Sequence, residues 1–220
     1  MPHAADAVAS NAAHAPEIPA DLTIPKLFLQ KARHYGEGRV AMREKEFGIW
    51  RPITWQEYLE TVKYTALGLI ALGLEEDDKV AMIGDNRPEG LMAEMAALCA
   101  RGIGVWLFQD CLMDEVRYII DHSDAKFLVG EGQEEVDKAL SIIGDCPKLK
   151  KIIYDDPKGL RHYHQECLIS LKEVQALGRE LEKEKPHLFE ELIQKGHGEE
   201  TALLFYTSGT TALPKGALLS

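Results

Sequence analysis

Between residues 79 and 154 the sequence alternates between short apolar runs and longer amphipathic stretches. The apolar runs are typical of buried strands, and the amphipathic stretches are typical of helices. Repeated β-α units predict a parallel sheet with right-handed crossovers, since parallel neighbours need a long connection. The predicted strands are KVAMIG, GVWLF, KFLVG and KIIY, separated by helices at 88–101, 114–121 and 134–143. The predicted fold class is therefore α/β.

The residues before this alternation predict a helix, a hairpin and a second helix. Thr23 is a suitable N-cap for the first helix, which has a proline in its first turn. The stretch RVAMREKEFGIWRPIT predicts a hairpin with its polar turn near Glu44 and Lys45. Thr54 and Glu57 have the spacing of a capping box, so we expect the second helix to begin there.

The two ends of the chain differ from this pattern in composition. Residues 1–20 are rich in alanine and proline and lack the features of a signal peptide, so they predict a disordered tail. The predicted domain spans residues 21–220. Near its carboxyl end, Ser170 and Glu173 form a second capping box, which predicts a solvated surface helix that runs to about Lys185.

Composition and charge argue against several classes of function. The formal net charge of -11 argues against broad nucleic-acid binding, because such binding needs a basic face. The four cysteines are widely spaced and form no C-x-x-C pair, so we expect free thiols in a reducing, cytoplasmic compartment. His162 and His164 have no third ligand nearby in sequence, so no metal site is predicted. No apolar run approaches the roughly 18 residues of a membrane span, which leaves only peripheral membrane contact open.

In open α/β sheets, ligands bind beyond the carboxyl ends of the strands. The stretch GDNRPEG, residues 84–90, lies at such a position between a predicted strand and a predicted helix. Arg87 is therefore a candidate site residue. The alternative is that Arg87 is an ordinary solvated charge, since the sequence contains no G-x-G-x-x-G fingerprint.

The stretch LLFYTSGTTALPKGALLS, residues 203–220, combines a strand with a loop suited to phosphate. Residues 201–206 show no helical period and predict a strand buried on both faces. Hydroxyl and backbone N–H donors crowd into positions 207–211, and Lys215 adds a mobile positive charge. The pattern is not a Walker A motif, because Pro214 takes the place of its second glycine. An ordinary surface loop is the alternative interpretation.

The stretch YTSGTTALPKG resembles the Y-T-S-G-T-T-G-x-P-K-G signature of the adenylate-forming (AMP-binding) superfamily. This superfamily contains acyl-CoA synthetases, luciferases and peptide-synthetase adenylation domains. The stretches DKVAMIGDNRPEG and FQDCLMDEVRYIIDHSDAKFLVGE are similar to the amino-terminal part of bacterial long-chain acyl-CoA synthetases. Three positions depart from the usual pattern. Ala212 stands where the family usually has glycine, and Gly90 stands where it often has tryptophan. Cys111 stands where a small hydroxyl residue is common.

The resemblance implies a partial amino-terminal domain of an ATP-dependent, AMP-forming long-chain fatty acid–CoA ligase. Such enzymes adenylate a carboxylate and then form a thioester, with fatty acid, ATP and coenzyme A as small-molecule partners and Mg²⁺ as a cofactor. The resemblance gives Lys215 a catalytic role. It implies that the phosphates of ATP bind to Thr207, Ser208, Gly209, Thr210, Thr211, Lys215 and Gly216.

The family's polypeptides are far longer than this one, so we expect the 220-residue chain to be inactive alone. The acyl chain length is not predicted, because most residues of the acyl pocket would follow residue 220. Two alternatives remain open. One is another adenylate-forming ligase that acts on aryl or medium-chain acids, and the other is a non-catalytic nucleotide-binding or interaction module.

Overall fold

The computed structural model describes residues 19–207 and 213–220, so most of the predicted tail and the centre of the predicted phosphate loop lie outside the described residues. The helices are α1 (Ile24–Tyr35), α2 (Trp55–Ala71), α3 (Pro88–Cys99), α4 (Met113–His122), α5 (Gln133–Ile142), α6 (Leu171–Glu184) and α7 (Leu188–Lys195). The strands are β1 (Val40–Glu46), β2 (Ile49–Thr54), β3 (Lys79–Ile83), β4 (Ile103–Leu107), β5 (Ala125–Gly130), β6 (Lys151–Tyr154), β7 (Leu168–Ser170), β8 (Leu203–Thr207) and β9 (Lys215–Leu219).

Seven of these strands form one sheet in the order β7-β6-β5-β3-β4-β8-β9. All neighbours in this sheet are parallel except β8 and β9, which are antiparallel. Strands β1 and β2 form a separate antiparallel hairpin. The predicted α/β class with a parallel sheet of alternating strands and helices is confirmed.

Two hydrophobic cores cover the two faces of the sheet. Alternate side chains of β3 enter different cores: Val80 and Met82 face α1, α2, α3, α6 and α7, whereas Ala81 and Ile83 face α4 and α5. This alternation is the period of two expected of a strand. From β3 the chain crosses over α3 to β4 on one side, and then crosses over α4 to β5 on the other side of β3. Helices α3 and α4 therefore lie on opposite faces, and the crossover point of the sheet lies between β3 and β4.

Both predicted capping boxes are present. The backbone N–H of Thr54 donates to the Glu57 carboxylate at 2.7 Å, and the N–H of Glu57 donates to the Thr54 hydroxyl at 3.2 Å. Ser170 and Glu173 make the same reciprocal pair at 2.9 Å and 3.2 Å. The two helices begin where these pairs place them, because each pair satisfies backbone donors that the first turn leaves free.

Two predicted details are wrong. The hairpin turns at Phe47 and Gly48 rather than near Glu44 and Lys45, which pair within the ladder. Both turn residues have positive φ, as a two-residue type I′ turn requires. Strand β8 is not buried on both faces, because Phe205 is exposed between buried neighbours. Strands β7 and β9 and helix α7 are further elements that the sequence patterns did not predict.

Helix α6 is not simply a solvated surface helix, because it packs backbone to backbone against α2. A Cβ atom at Gly178 of α6 would lie 1.9 Å from the carbonyl oxygen of Tyr64, and one at Gly68 of α2 would lie 2.0 Å from that of Val174. Both distances are far below van der Waals contact. The two glycines therefore fix the separation of the helices.

We predict that Gly178→Ala destabilises the protein by about 1–3 kcal/mol, as overpacking does in a close-packed core. The opposite sign would follow from helix propensity alone, which favours alanine over glycine by about 1 kcal/mol. Denaturation in urea, followed by circular dichroism, measures the change. Gly144→Ala is the matched control, because a Cβ atom there meets no atom within 4 Å, so its midpoint should stay near that of the unsubstituted protein. A Gly178→Ala midpoint at or above the control would contradict the packing argument.

Candidate functional site

The two described ends of the predicted phosphate loop lie directly opposite each other. Thr207 is the last residue of β8, Lys215 is the first residue of β9, and the two are cross-strand partners. Both side chains are exposed. Gly216 pairs with Tyr206 one step further from the loop. The predicted residues Ser208, Gly209, Thr210 and Thr211, together with Ala212, lie outside the described residues.

The loop emerges at the carboxyl edge of the parallel sheet. Strand β8 runs parallel to β4, and β4 runs parallel to β3, so all three end at this edge. Since β9 is antiparallel to β8, its first residue, Lys215, lies there too. Thr207 and Lys215 thus lie one strand away from the β3–β4 crossover point, on the edge where α/β sheets bind ligands.

A partly buried hydrogen bond between α4 and β8 anchors the strand that leads into the loop. The phenol of Tyr206 forms a 2.7 Å hydrogen bond with Nδ1 of His122, the last residue of α4. The Tyr118 ring stacks on His122 and lies edge-on to Tyr206. Burial, with a further contribution from Tyr118, raises the pKa of Tyr206 to about 12, so the phenol keeps its proton at neutral pH.

This anchor places α4 against the base of the loop. Tyr118 and His122 share an open hollow with Pro214 and Lys215. Neither residue was predicted as functional, because His122 is 84 positions away from its partner in sequence. The sequence feature that could have indicated His122 is its place in the last turn of an amphipathic helix, where a polar side chain can face a neighbouring element.

Arg87 is held by carboxylates and is neither a freely solvated charge nor an open anion site. Its guanidinium donates to Glu44 at 3.0 Å and to Glu131 at 3.1 Å, and Glu89 lies 3.6 Å away. About one third of the side chain is exposed. Because Glu44 belongs to β1 and Glu131 follows β5, Arg87 joins the hairpin to the carboxyl edge of the sheet.

The pocket beside Arg87 is acidic and partly buried. Burial raises the pKa of Glu89 and of Asp155, and the positive charge of Arg87 opposes the shift at both groups. One oxygen of Glu89 is buried without a hydrogen-bond partner among the described residues. These carboxylates and the guanidinium offset one another, so the pocket does not present a net positive charge to an anion.

Gly90 lies directly against Trp106 of β4. A Cβ atom at Gly90 would lie 2.8 Å from the indole ring of Trp106, which belongs to β4. The indole N–H of Trp106 donates to Glu94, and burial raises the pKa of that carboxyl while the bond to Trp106 lowers it. The absence of a side chain at Gly90 therefore leaves room on α3 for the indole ring of Trp106.

Residues 19–207 and 213–220 contain neither a metal-ligand cluster nor a membrane-spanning helix nor a disulfide. This part of the chain contains no group of three His, Cys, Asp or Glu side chains that could hold a metal ion. None of its helices is long and apolar enough to cross a membrane. The four cysteines, which all lie within it, are free.

Curated relatives cover nearly the whole chain. It is 30% identical over 201 residues to the long-chain-fatty-acid–CoA ligase ACSBG2 of Xenopus laevis, a match that spans 90% of this chain and 26% of that protein. It is 28% identical over 207 residues to the human ACSBG2 ligase, which spans 94% of this chain and 30% of that protein. The chain thus matches less than a third of the length of either relative.

Solved structures show the same fold. The anthranilate CoA ligase AuaEII, in complex with anthranoyl-AMP, matches 91% of this chain and 35% of its own with a TM-score of 0.66 and 19% identity. The adenylation domain of a carboxylate reductase from Mycobacterium chelonae matches 92% of this chain and 35% of its own with a TM-score of 0.65 and 16% identity. A family model described as AMP-binding enzyme matches residues 28–220. The chain therefore belongs to the AMP-binding enzyme family, the adenylate-forming superfamily.

Proposed function

We propose that this chain supplies the phosphate-binding part of an ATP-dependent, AMP-forming long-chain fatty acid–CoA ligase. The observation that carries the proposal is the pairing of Thr207 with Lys215 at the carboxyl edge of the sheet. This pairing brings together the hydroxyl and the cation at the two ends of the signature motif. The names of the curated relatives support fatty acid as the substrate class.

In the proposed reaction, the fatty acid carboxylate attacks the α-phosphorus of ATP, and the bond from that phosphorus to the pyrophosphate oxygen breaks. Lys215 offsets the negative charge that develops on the departing pyrophosphate, and hydroxyl and N–H donors of Thr207, Ser208, Gly209, Thr210, Thr211 and Gly216 orient the phosphates. The thiol of coenzyme A then attacks the acyl carbon of the acyl-adenylate and releases AMP.

Mg²⁺ would supply further charge compensation on the phosphates. The described residues hold no cluster of ligands suited to a metal ion, so we assign none of them to this role. We also propose that the 220-residue chain does not complete the reaction alone, because it spans 26% and 30% of the two relatives. Positioning of the acid and of coenzyme A requires groups from the rest of such a protein.

We also propose that the hydrogen bond between Tyr206 and His122 holds the loop in a fixed position relative to the sheet. His122 and Tyr206 connect α4 to the strand that carries Thr207, so a change at His122 acts on the phosphates through Tyr206 rather than by direct contact. His122 is therefore a positioning residue in this proposal.

We predict that Lys215→Ala in the full-length ligase slows adenylation about ten- to hundredfold, the effect of losing one charge-assisted contact. Thioester formation from preformed acyl-adenylate should be nearly unchanged, because pyrophosphate has left by then. Rapid-quench measurement of the two half-reactions tests this. Lys148→Ala, at an exposed lysine far from the loop in sequence, is the control.

Equal slowing of both half-reactions by Lys215→Ala would contradict the phosphate role. A panel of acids, run in the same assay, addresses the substrate class. Preference for benzoate over palmitate would favour the aryl-acid ligase, and ATP binding without turnover on any acid would favour the non-catalytic module.

We predict that His122→Ala lowers the free energy of unfolding by about 0.5–1.5 kcal/mol, the net contribution of one hydrogen bond. It should also raise the KM for ATP more than it lowers kcat, since it loosens the loop without removing a phosphate contact. Urea denaturation and steady-state kinetics measure these effects. His164→Ala, at an exposed histidine, should change neither quantity. If His122→Ala left both the free energy of unfolding and the KM for ATP unchanged, the positioning role of His122 would be contradicted.

A further inference from the structure

The tip of the β1–β2 hairpin presents large apolar side chains to solvent. Phe47 is 92% exposed, Ile49 is 69% exposed and Trp50 is 60% exposed. Phe47 is the first residue of the turn, and Ile49 and Trp50 follow at the start of β2 on opposite faces of the hairpin. The exposed rings of Phe47 and Trp50 make this end of the hairpin a candidate for contact with another apolar surface.

The backbone at this tip is unfavourable for the residue that occupies it. Phe47 has a φ of 49°, in the left-handed region that bulky side chains avoid, and Gly48 follows with a φ of 83°. Asparagine or glycine is the usual first residue of such a turn. A phenylalanine in this place gives up local stability and gains an apolar group that projects into solvent, which indicates a role outside folding.

One face of the hairpin is basic and aromatic. Side chains alternate between the two faces of a strand, and directly paired residues share a face. Lys45 pairs with Trp50, and Arg43 lies two residues away from Lys45 on the same strand. The Lys45 ammonium lies 5.9 Å from the centre of the Trp50 ring. We call Arg43, Lys45 and Trp50 the basic hairpin face.

The carboxylates of the hairpin lie on its opposite face and are already paired. Glu44 accepts from Arg87 at 3.0 Å, and Glu46 lies 2.8 Å from Arg51. Within residues 19–207 and 213–220, no carboxylate lies within 4.0 Å of Arg43 or Lys45. A local positive surface therefore stands beside the apolar tip in a chain whose formal net charge is -11.

We propose that the basic hairpin face and Phe47 dock on the surface of a bilayer that contains anionic phospholipids. Arg43 and Lys45 complement lipid phosphates, Trp50 suits the headgroup region, and Phe47 enters the acyl boundary. A surface of so few residues is too small for a stable protein interface, which buries on the order of 1,000 Å². At physiological salt, charges are screened over about 8 Å, so the anionic bilayer repels the more distant acidic surfaces of the protein only weakly.

This docking does not depend on the proposed ligase function, and vesicle binding by the 220-residue chain tests it. Sedimentation with vesicles of phosphatidylglycerol and phosphatidylcholine in equal parts should recover the chain, and vesicles of phosphatidylcholine alone should recover much less. Lys45→Glu should weaken binding at least about fivefold, the effect expected from a single cation near an anionic surface. Phe47→Ser should weaken binding about tenfold, because its aromatic ring no longer leaves water.

Two matched variants separate docking from non-specific adsorption. Phe108→Ser removes another highly exposed phenylalanine, and Lys148→Glu reverses another exposed lysine, so both should bind like the unsubstituted chain. Circular dichroism checks that each variant is folded. Brominated lipid should quench the fluorescence of Trp50. The Trp50→Phe variant identifies that part of the signal, because it lacks this indole.

No binding to the mixed vesicles would overturn the proposal. It would also be overturned if Phe108→Ser or Lys148→Glu weakened binding as much as the hairpin variants do, since the whole surface would then be responsible. Loss of binding by the hairpin variants alone, together with quenching of Trp50, is the result that we expect.

Discussion

The central strands of the sheet are buried on both faces, and the remaining elements are arranged to keep them dry. Val80 and Ala81 are adjacent on β3, point in opposite directions and are both fully buried. Such a strand needs helices on each side, and parallel connections provide them. The same connections bring the carboxyl ends of β3, β4 and β8 to one edge. Burial of the strands thus determines where Thr207 and Lys215 can lie.

Most features that depend on a few neighbouring residues were predicted correctly from the sequence, and the hairpin turn is the exception. The capping boxes at Thr54 and Ser170 close hydrogen bonds within one helical turn, so local sequence determines them. The strands of the β-α units were recognised because strands buried on both faces are continuous apolar runs. The hairpin turn was misplaced because polar residues suggested a turn, whereas Gly48 and the strand register determine it.

Features that depend on distant residues were not accessible in this way. The burial of β8 depends on which faces its neighbours cover, and Phe205 is exposed because one side lacks a covering element among the described residues. The signature motif indicated Thr207 and Lys215, but the partners Tyr206 and His122 come together only when α4 packs beside β8. The same holds for Arg87, whose carboxylate partners come from two other elements.

The claim that this edge of the sheet serves carboxylate adenylation is tested most directly by following oxygen through the reaction. A full-length ligase that contains this chain is supplied with ATP, coenzyme A and palmitate that carries heavy oxygen in its carboxylate. Attack on the α-phosphorus transfers one labelled oxygen to AMP, which mass spectrometry detects. We predict labelled AMP together with unlabelled pyrophosphate. Label in inorganic phosphate, with ADP as the other product, would show attack at the γ-phosphorus and contradict the account.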